Sequence, residues 1–137
     1  LYFHIGAERA SRLITRSDDP GRIARIAYTY VHLLLIAGII LVAVGDELVL
    51  AHPGGHTDAK TTLAVVGGAG FYLLGNLLFK KCTAGWYPLS HWVGIGLLAG
   101  FTPLSGMLPP LGFSIGVTAI LIVVAAWEAV SLRSKEV

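Results

Sequence analysis

Four long apolar runs separated by short polar breaks organise the chain. They extend over about Ile26–Leu50, Thr61–Phe79, Pro88–Leu108 and Leu111–Leu132. A helix rises about 1.5 Å per residue, so roughly 20 residues cross a hydrocarbon core about 30 Å thick. Each run reaches that length. The first is long, and the third is rich in Gly and Pro. The runs are continuous rather than alternating, which argues against the strands of a barrel. Helices satisfy their own backbone groups where lipid offers no partner. The expected fold is an all-α integral membrane protein, a bundle of four transmembrane helices.

The segment ahead of the first run reads differently. Leu1–Ala7 is apolar but too short to span, and it lacks the charge order and cleavage site of a signal peptide. It reads as the end of a truncated upstream helix, and the chain as a fragment of a longer protein. Residues 1–16 are then the end of that helix and a basic segment, and residues 17–137 the four-helix region. Glu8 and Arg12 have the spacing of an i,i+4 pair. Ser17-Asp18-Asp19-Pro20-Gly21 is a helix start, with Asp19 as the cap and Pro20 in the first helical position. Arg22 and Arg25 can then snorkel into the headgroups.

Charge fixes the expected orientation. Only 13% of residues are charged and 55% are apolar, against about 25% and 45–50% in soluble domains. Basic residues cluster as Arg9, Arg12, Arg16, Arg22 and Arg25, then Lys60, then Lys80 and Lys81 in the following loop. None lies near Pro109-Pro110, and Arg133 and Lys135 close the chain. This alternation places both ends in the cytoplasm and Ala51–Lys60 outside, in a multi-pass protein of the cell membrane. Tyr28, Tyr30, Trp86, Tyr87, Trp92 and Trp127 fall near the inner interface. The formal charge of +2 thus reports topology, and no feature points to nucleic acid. Cys82 is the single cysteine, so no internal disulfide forms, and it reads as a spare reduced thiol.

Small and polar residues supply the finer expectations. Gly96 and Gly100, and Gly112 and Gly116, form GxxxG patterns, and Ala64, Gly68 and Gly75 share one face of the second helix. Such residues let backbones approach in lipid, chiefly within one chain and alternatively in a homo-oligomer. Asn76 can place an amide across an interface, and Pro103 kinks or ends the third helix. Intramembrane ionisable groups are costly and normally face protein or water. His32 and Asp46 lie fourteen residues apart, within about 40° of one helical face. With Tyr28 and Ile39 they form a stripe, and Glu47 adjoins it. Tyr28, His32, Asp46 and Glu47 are the candidate polar path, set against ordinary hydrogen bonding and headgroup solvation. The stripe predicts His32 facing the bundle and Leu34, Leu41 and Leu48 facing lipid. Glu128 and His91 read as interfacial residues. His52, His56 and Asp58 are weak metal candidates, because their spacing matches no strong signature. The chain contains no GxSxG, HExxH, Walker or CxxC motif, so no cofactor and no catalytic residue is assigned.

One stretch carries a wider resemblance. GAERASR followed by DPGRIARIAYTYVHLLLIAGIILVAVGDELVLAHP resembles the bacterial low temperature requirement protein A family. Tyr2-Phe3 is similar to the end of that family's aromatic stretch. Ala27-Tyr28, Tyr30, His32, Gly38 and Gly45-Asp46-Glu47 carry the likeness through the first helix. The resemblance covers most of the chain as the C-terminal part of a longer multispan protein. The family's Glu-Leu-Phe-Phe-Asp-Leu-like segment and its acidic helix ending in Gly-Glu are absent. Its implied partners are therefore the bilayer and the missing N-terminal helices. Its implied role is support of growth at low temperature, and the His32–Asp46 face suggests a transporter- or channel-like form. A membrane enzyme with an intramembrane His/acid site and a structural assembly module are the alternatives.

The orientation is directly testable. In a Cys82→Ser background, His56→Cys in the Ala51–Lys60 loop should react with an impermeant thiol reagent from outside the cell only. Labelling from the cytoplasmic side alone would refute it.

Overall fold

The computed structural model describes residues 11, 12, 15, 16, 18–85 and 87–133. The opening stub with Glu8 and Arg9, and also Trp86 and Lys135, lie outside them. Helix α1 spans Pro20–Ala51. It starts where the Asp-Pro signal requires, with Asp19 Oδ1 accepting from the Arg22 amide at 3.0 Å. Helix α2 spans Ala59–Ala84, capped by Asp58, whose carboxylate accepts from the Thr61 amide at 2.8 Å. Gly85 ends α2 with φ 76°, a left-handed conformation that glycine adopts without strain. Helix α3 spans Leu89–Phe101, a 3₁₀ segment covers Thr102–Gly106, and helix α4 spans Pro110–Arg133. No strand occurs among the described residues.

Three helical stretches are long and apolar enough to cross a membrane: Pro20–Ala51, Ala59–Cys82 and Pro110–Ser131. The third apolar run is built differently. Its α-helix has 13 residues and passes directly into the 3₁₀ segment. Pro103 explains the change, because it has no amide to continue the helical ladder. The Thr102 hydroxyl donates to the Leu98 carbonyl at 2.7 Å and satisfies part of the helix end. Lys80 and Lys81, expected in a loop, belong with Cys82 to α2, which continues to Ala84.

The closest backbone approach at the described glycines is the seam between α1 and α2. A Cβ on Gly38 would lie 2.7 Å from the Tyr72 amide nitrogen, and one on Gly68 would lie 2.6 Å from that of Val42. Gly45 rests on Ala64 and Val65, and Gly75 on Leu35. Gly38 and Gly45 are seven residues apart, as are Gly68 and Gly75. Each pair therefore repeats on one face after two turns. In lipid the gain from such contact is van der Waals packing, since acyl chains are as apolar as leucine.

This seam reverses one expectation about α1. Leu34, Leu41 and Leu48 are half-buried, whereas His32 and Ile39 lie on the exposed side. The glycines decide the face, and the leucines flank them at three or four residues. Asn76 likewise makes no bond across an interface: its amide donates to the Tyr72 carbonyl of its own helix at 2.9 Å.

The other half of the bundle is joined by different small residues. Gly94 of α3 leaves room for Val124 of α4 and Leu73 of α2. Gly116 makes room for the Phe101 ring, which stacks on Phe113 at 5.4 Å. Gly96 and Gly100 would meet nothing within 4 Å, and Gly112 meets only Pro109 of the preceding turn. Phe113, Leu73, Leu98, Val117 and Val124 form the centre of the core.

The seam generates a paired expectation. Gly68→Ala should destabilise the protein by about 1–3 kcal/mol, the scale of an overpacked core. Gly96→Ala should be neutral or stabilising, because added side-chain bulk there meets open space and helical glycine carries an entropic cost. Unfolding of the purified protein in mixed micelles measures both, and equal effects would contradict the seam.

Candidate functional site

Polar side chains meet at the basic end of the bundle, where α2 and α4 finish and α3 begins. Lys80 stands in the last turns of α2, His91 in the first turn of α3 and Glu128 near the end of α4. The Lys80 ammonium donates to Glu128 Oε1. His91 Nε2 lies 3.5 Å from Lys80 Nζ and 3.8 Å from Glu128 Oε2. Ser90 Oγ is 3.2 Å from His91 Nδ1. The Lys80, Glu128 and His91 side chains keep only 18%, 11% and 4% of their surface exposed. That burial makes the pair a desolvated one, in which each charge depends on the other. The reading of Glu128 and His91 as interfacial residues is thereby corrected. Glu128 is buried against a lysine, and three helices are tied together at one point. The sequence signal was an acid in the fourth run and a lysine just after the second, both at the ends expected to share one membrane face.

Lys81, one residue on, does separate work. It donates to the Gly85 carbonyl at 3.2 Å and sits 4.7 Å from the Tyr87 ring centroid, closing the turn between α2 and α3.

The candidate polar path on α1 divides in two. Residues Ile26–Val31 form a π-helical segment immediately before His32. Such bulges inside α-helices are frequent at functional sites. Tyr28 leaves the stripe and packs edge-on against Phe79 of α2, with centroids 5.7 Å apart. His32 stays on the exposed side of α1. Asp46, farther along, joins Ser114 and Thr118 of α4 in lining a small cavity against α2. Glu47 is not part of that cavity's lining and is exposed.

The loop between α1 and α2 is committed to structure. Thr57 donates to the Leu108 carbonyl at 2.7 Å, and the Leu111 amide donates to Pro53 O at 3.2 Å. These bonds tie the loop to the α3–α4 connection. Asp58 is occupied as the α2 cap, and the Thr61 hydroxyl and amide hold its carboxyl below the usual carboxylate range. His52 and His56 are exposed. Among the described residues no three His, Cys, Asp or Glu side chains gather as a metal site.

Long apolar helices, a glycine seam and polar groups held between helices define a polytopic α-helical membrane protein. The chain belongs to the family described as bacterial low temperature requirement A protein, whose pattern it matches over residues 1–126. It is 35% identical over 133 residues to an uncharacterized protein of Rhizobium meliloti (strain 1021). The match covers 97% of this chain and 32% of that relative, so the chain spans about a third of the relative's length. No solved structure matches it.

The buried pair has a measurable signature. Glu128→Leu should cost about 3 kcal/mol, because it leaves the Lys80 ammonium desolvated without its counter-charge. Adding Lys80→Met should recover most of that loss. Chemical unfolding of the two variants decides it, and equal stability of single and double variants would contradict the assignment.

Proposed function

We propose that this region forms one wall of a polar pathway in a transporter-like membrane protein that supports growth at low temperature. The observation that carries the proposal is His32. It stands about 18 Å along α1 from Pro20, on the exposed side of a helix of membrane-crossing length. A histidine at that depth needs protein or water, because lipid offers its ring nitrogens no partner. On this reading further helices complete the path, for which a relative about three times longer than this chain leaves room.

On this reading all four apolar runs cross the cell membrane, with both ends of the chain cytoplasmic. The third crosses by adding its 3₁₀ segment to its α-helix, about 30 Å in all. The π-helical segment then sets the angle at which His32 meets the added helices. Glu47, also exposed, lies farther along the same helix, while Tyr28 and Asp46 belong to contacts with α2 and α4.

A second reading is favoured by one observation. Lys80, Glu128 and His91 satisfy one another, as they would in a structural module whose task is assembly.

His32→Leu in the full-length protein separates the two. The substitution makes the span more apolar, so insertion and protein level should be preserved. A pathway role expects loss of growth in the cold at normal protein levels, together with loss of solute flux into proteoliposomes. Normal cold growth and flux would overturn it. A purely structural histidine would show instead a stability loss of about 1–2 kcal/mol and a lower protein level.

A further inference from the structure

We infer that Asp46, Ser114 and Thr118 form a binding site for a small monovalent cation of the sodium class. The three line a cavity of about 30 Å³ between α1, α2 and α4. A cavity holding about 10–15 Å³ of probe-occupied volume accepts one water-sized species, so this one has room for a single ion or water.

Helices α1 and α2 each contribute one pair of residues on successive turns, and α4 contributes two. Val42 and Asp46 come from α1, Val65 and Ala69 from α2, and Ser114 and Thr118 from α4, with Val117 and Leu121 completing the wall. Residues four apart share a helical face. The arrangement follows from the glycine seam. Gly45 rests on Ala64 and Val65, which brings the next residue, Asp46, to the crevice against α4.

The ligand chemistry is specific. One carboxylate and two hydroxyls are hard oxygen donors, suited to hard cations rather than to metals that prefer nitrogen or sulfur. The other lining residues are apolar. A single negative charge is neutralised by a monovalent ion, whereas a divalent ion would leave excess charge beside valine and leucine. Asp46 has no ion-pair or hydrogen-bond partner among the described residues, and neither do the Ser114 and Thr118 side chains. Lys60, the basic residue nearest in sequence at this end, is exposed and is not part of the lining. Asp46 and Thr118 keep surface exposed, and Asp46 lies about 8 Å from the end of α1. The site is therefore reachable from that membrane face.

This inference goes beyond the pathway reading, because a bound ion can be structural as well as transported. The test uses the full-length protein purified in detergent. Thermal unfolding is followed as NaCl replaces choline chloride at constant ionic strength and pH. Binding of ²²Na⁺ is measured in parallel. The expected result is a melting temperature that rises with sodium and saturates, with matching ²²Na⁺ binding. Asp46→Asn should abolish both responses. Thr118→Val, which keeps the side-chain shape, should weaken binding by about tenfold, the scale on which losing a supporting group weakens a metal site. Should Asp46→Asn fail to fold, Thr118→Val and Ser114→Ala carry the same test. Identical melting in sodium and choline would overturn the site, as would ²²Na⁺ binding that survives Asp46→Asn. A response to pH alone would mean that the cavity serves a proton or a water, and would equally overturn it. Because binding is read without flux, failure here leaves the His32 result standing, and the reverse holds.

Discussion

The rest of the structure depends on backbone contact between α1 and α2. Gly38 and Gly68 bring main-chain atoms of the two helices within the distance a single Cβ would occupy. In a bilayer, leucine gains nothing by leaving lipid for another leucine, so shape and close approach decide which faces meet. Four glycines in two pairs, each spaced by seven residues, give α1 and α2 one preferred register. That register sets which side of α1 remains available to the rest of the molecule.

The polar residues are distributed accordingly. At the basic end, Lys80, Glu128 and His91 answer one another, and their burial makes them a joint between α2, α3 and α4. On α1, His32 faces away from α2, just after six residues of π-helix. At the opposite end Asp46 lies over a crevice that α4 supplies with two hydroxyls. One constellation is closed within the bundle, one lies on the exposed side of α1, and one lines a small open crevice. These are three different solutions to the cost of placing ionisable groups among apolar helices.

Much of this architecture was legible in the residues. Asp19-Pro20 started α1, and the apolar runs marked the helices. Pro103 ended the α-helical part of the third run. Gly68 and Gly75 were recognisable as a close-packing face, because their spacing is local. The direction of α1 was not legible, because its polar stripe and its glycines point to different faces of the helix. His32 suggested an inward face, yet Gly38 and Gly45 permit the closer approach, and close approach prevails where hydrophobic drive is absent. The Lys80–Glu128 pair was hidden for another reason. Its partners are 48 residues apart, and no periodicity within one helix reports a partner on another. The same limit concealed the Asp46 crevice, whose hydroxyls belong to α4. Gly96 and Gly100 show the converse, a motif with no close neighbour among the described residues.

The most direct test of this account asks which face of α1 meets α2. Leu41 lies beside Gly67, where a Cβ would stand 3.1 Å from its side chain, whereas Ile39 lies on the exposed side. In native membranes, the full-length protein carrying Cys82→Ser is treated with a short bifunctional thiol reagent. The variant with Leu41→Cys and Gly67→Cys should cross-link rapidly, and the variant with Ile39→Cys and Gly67→Cys should not. Efficient cross-linking of the second variant, with none in the first, would contradict the seam and the polar geometry built upon it.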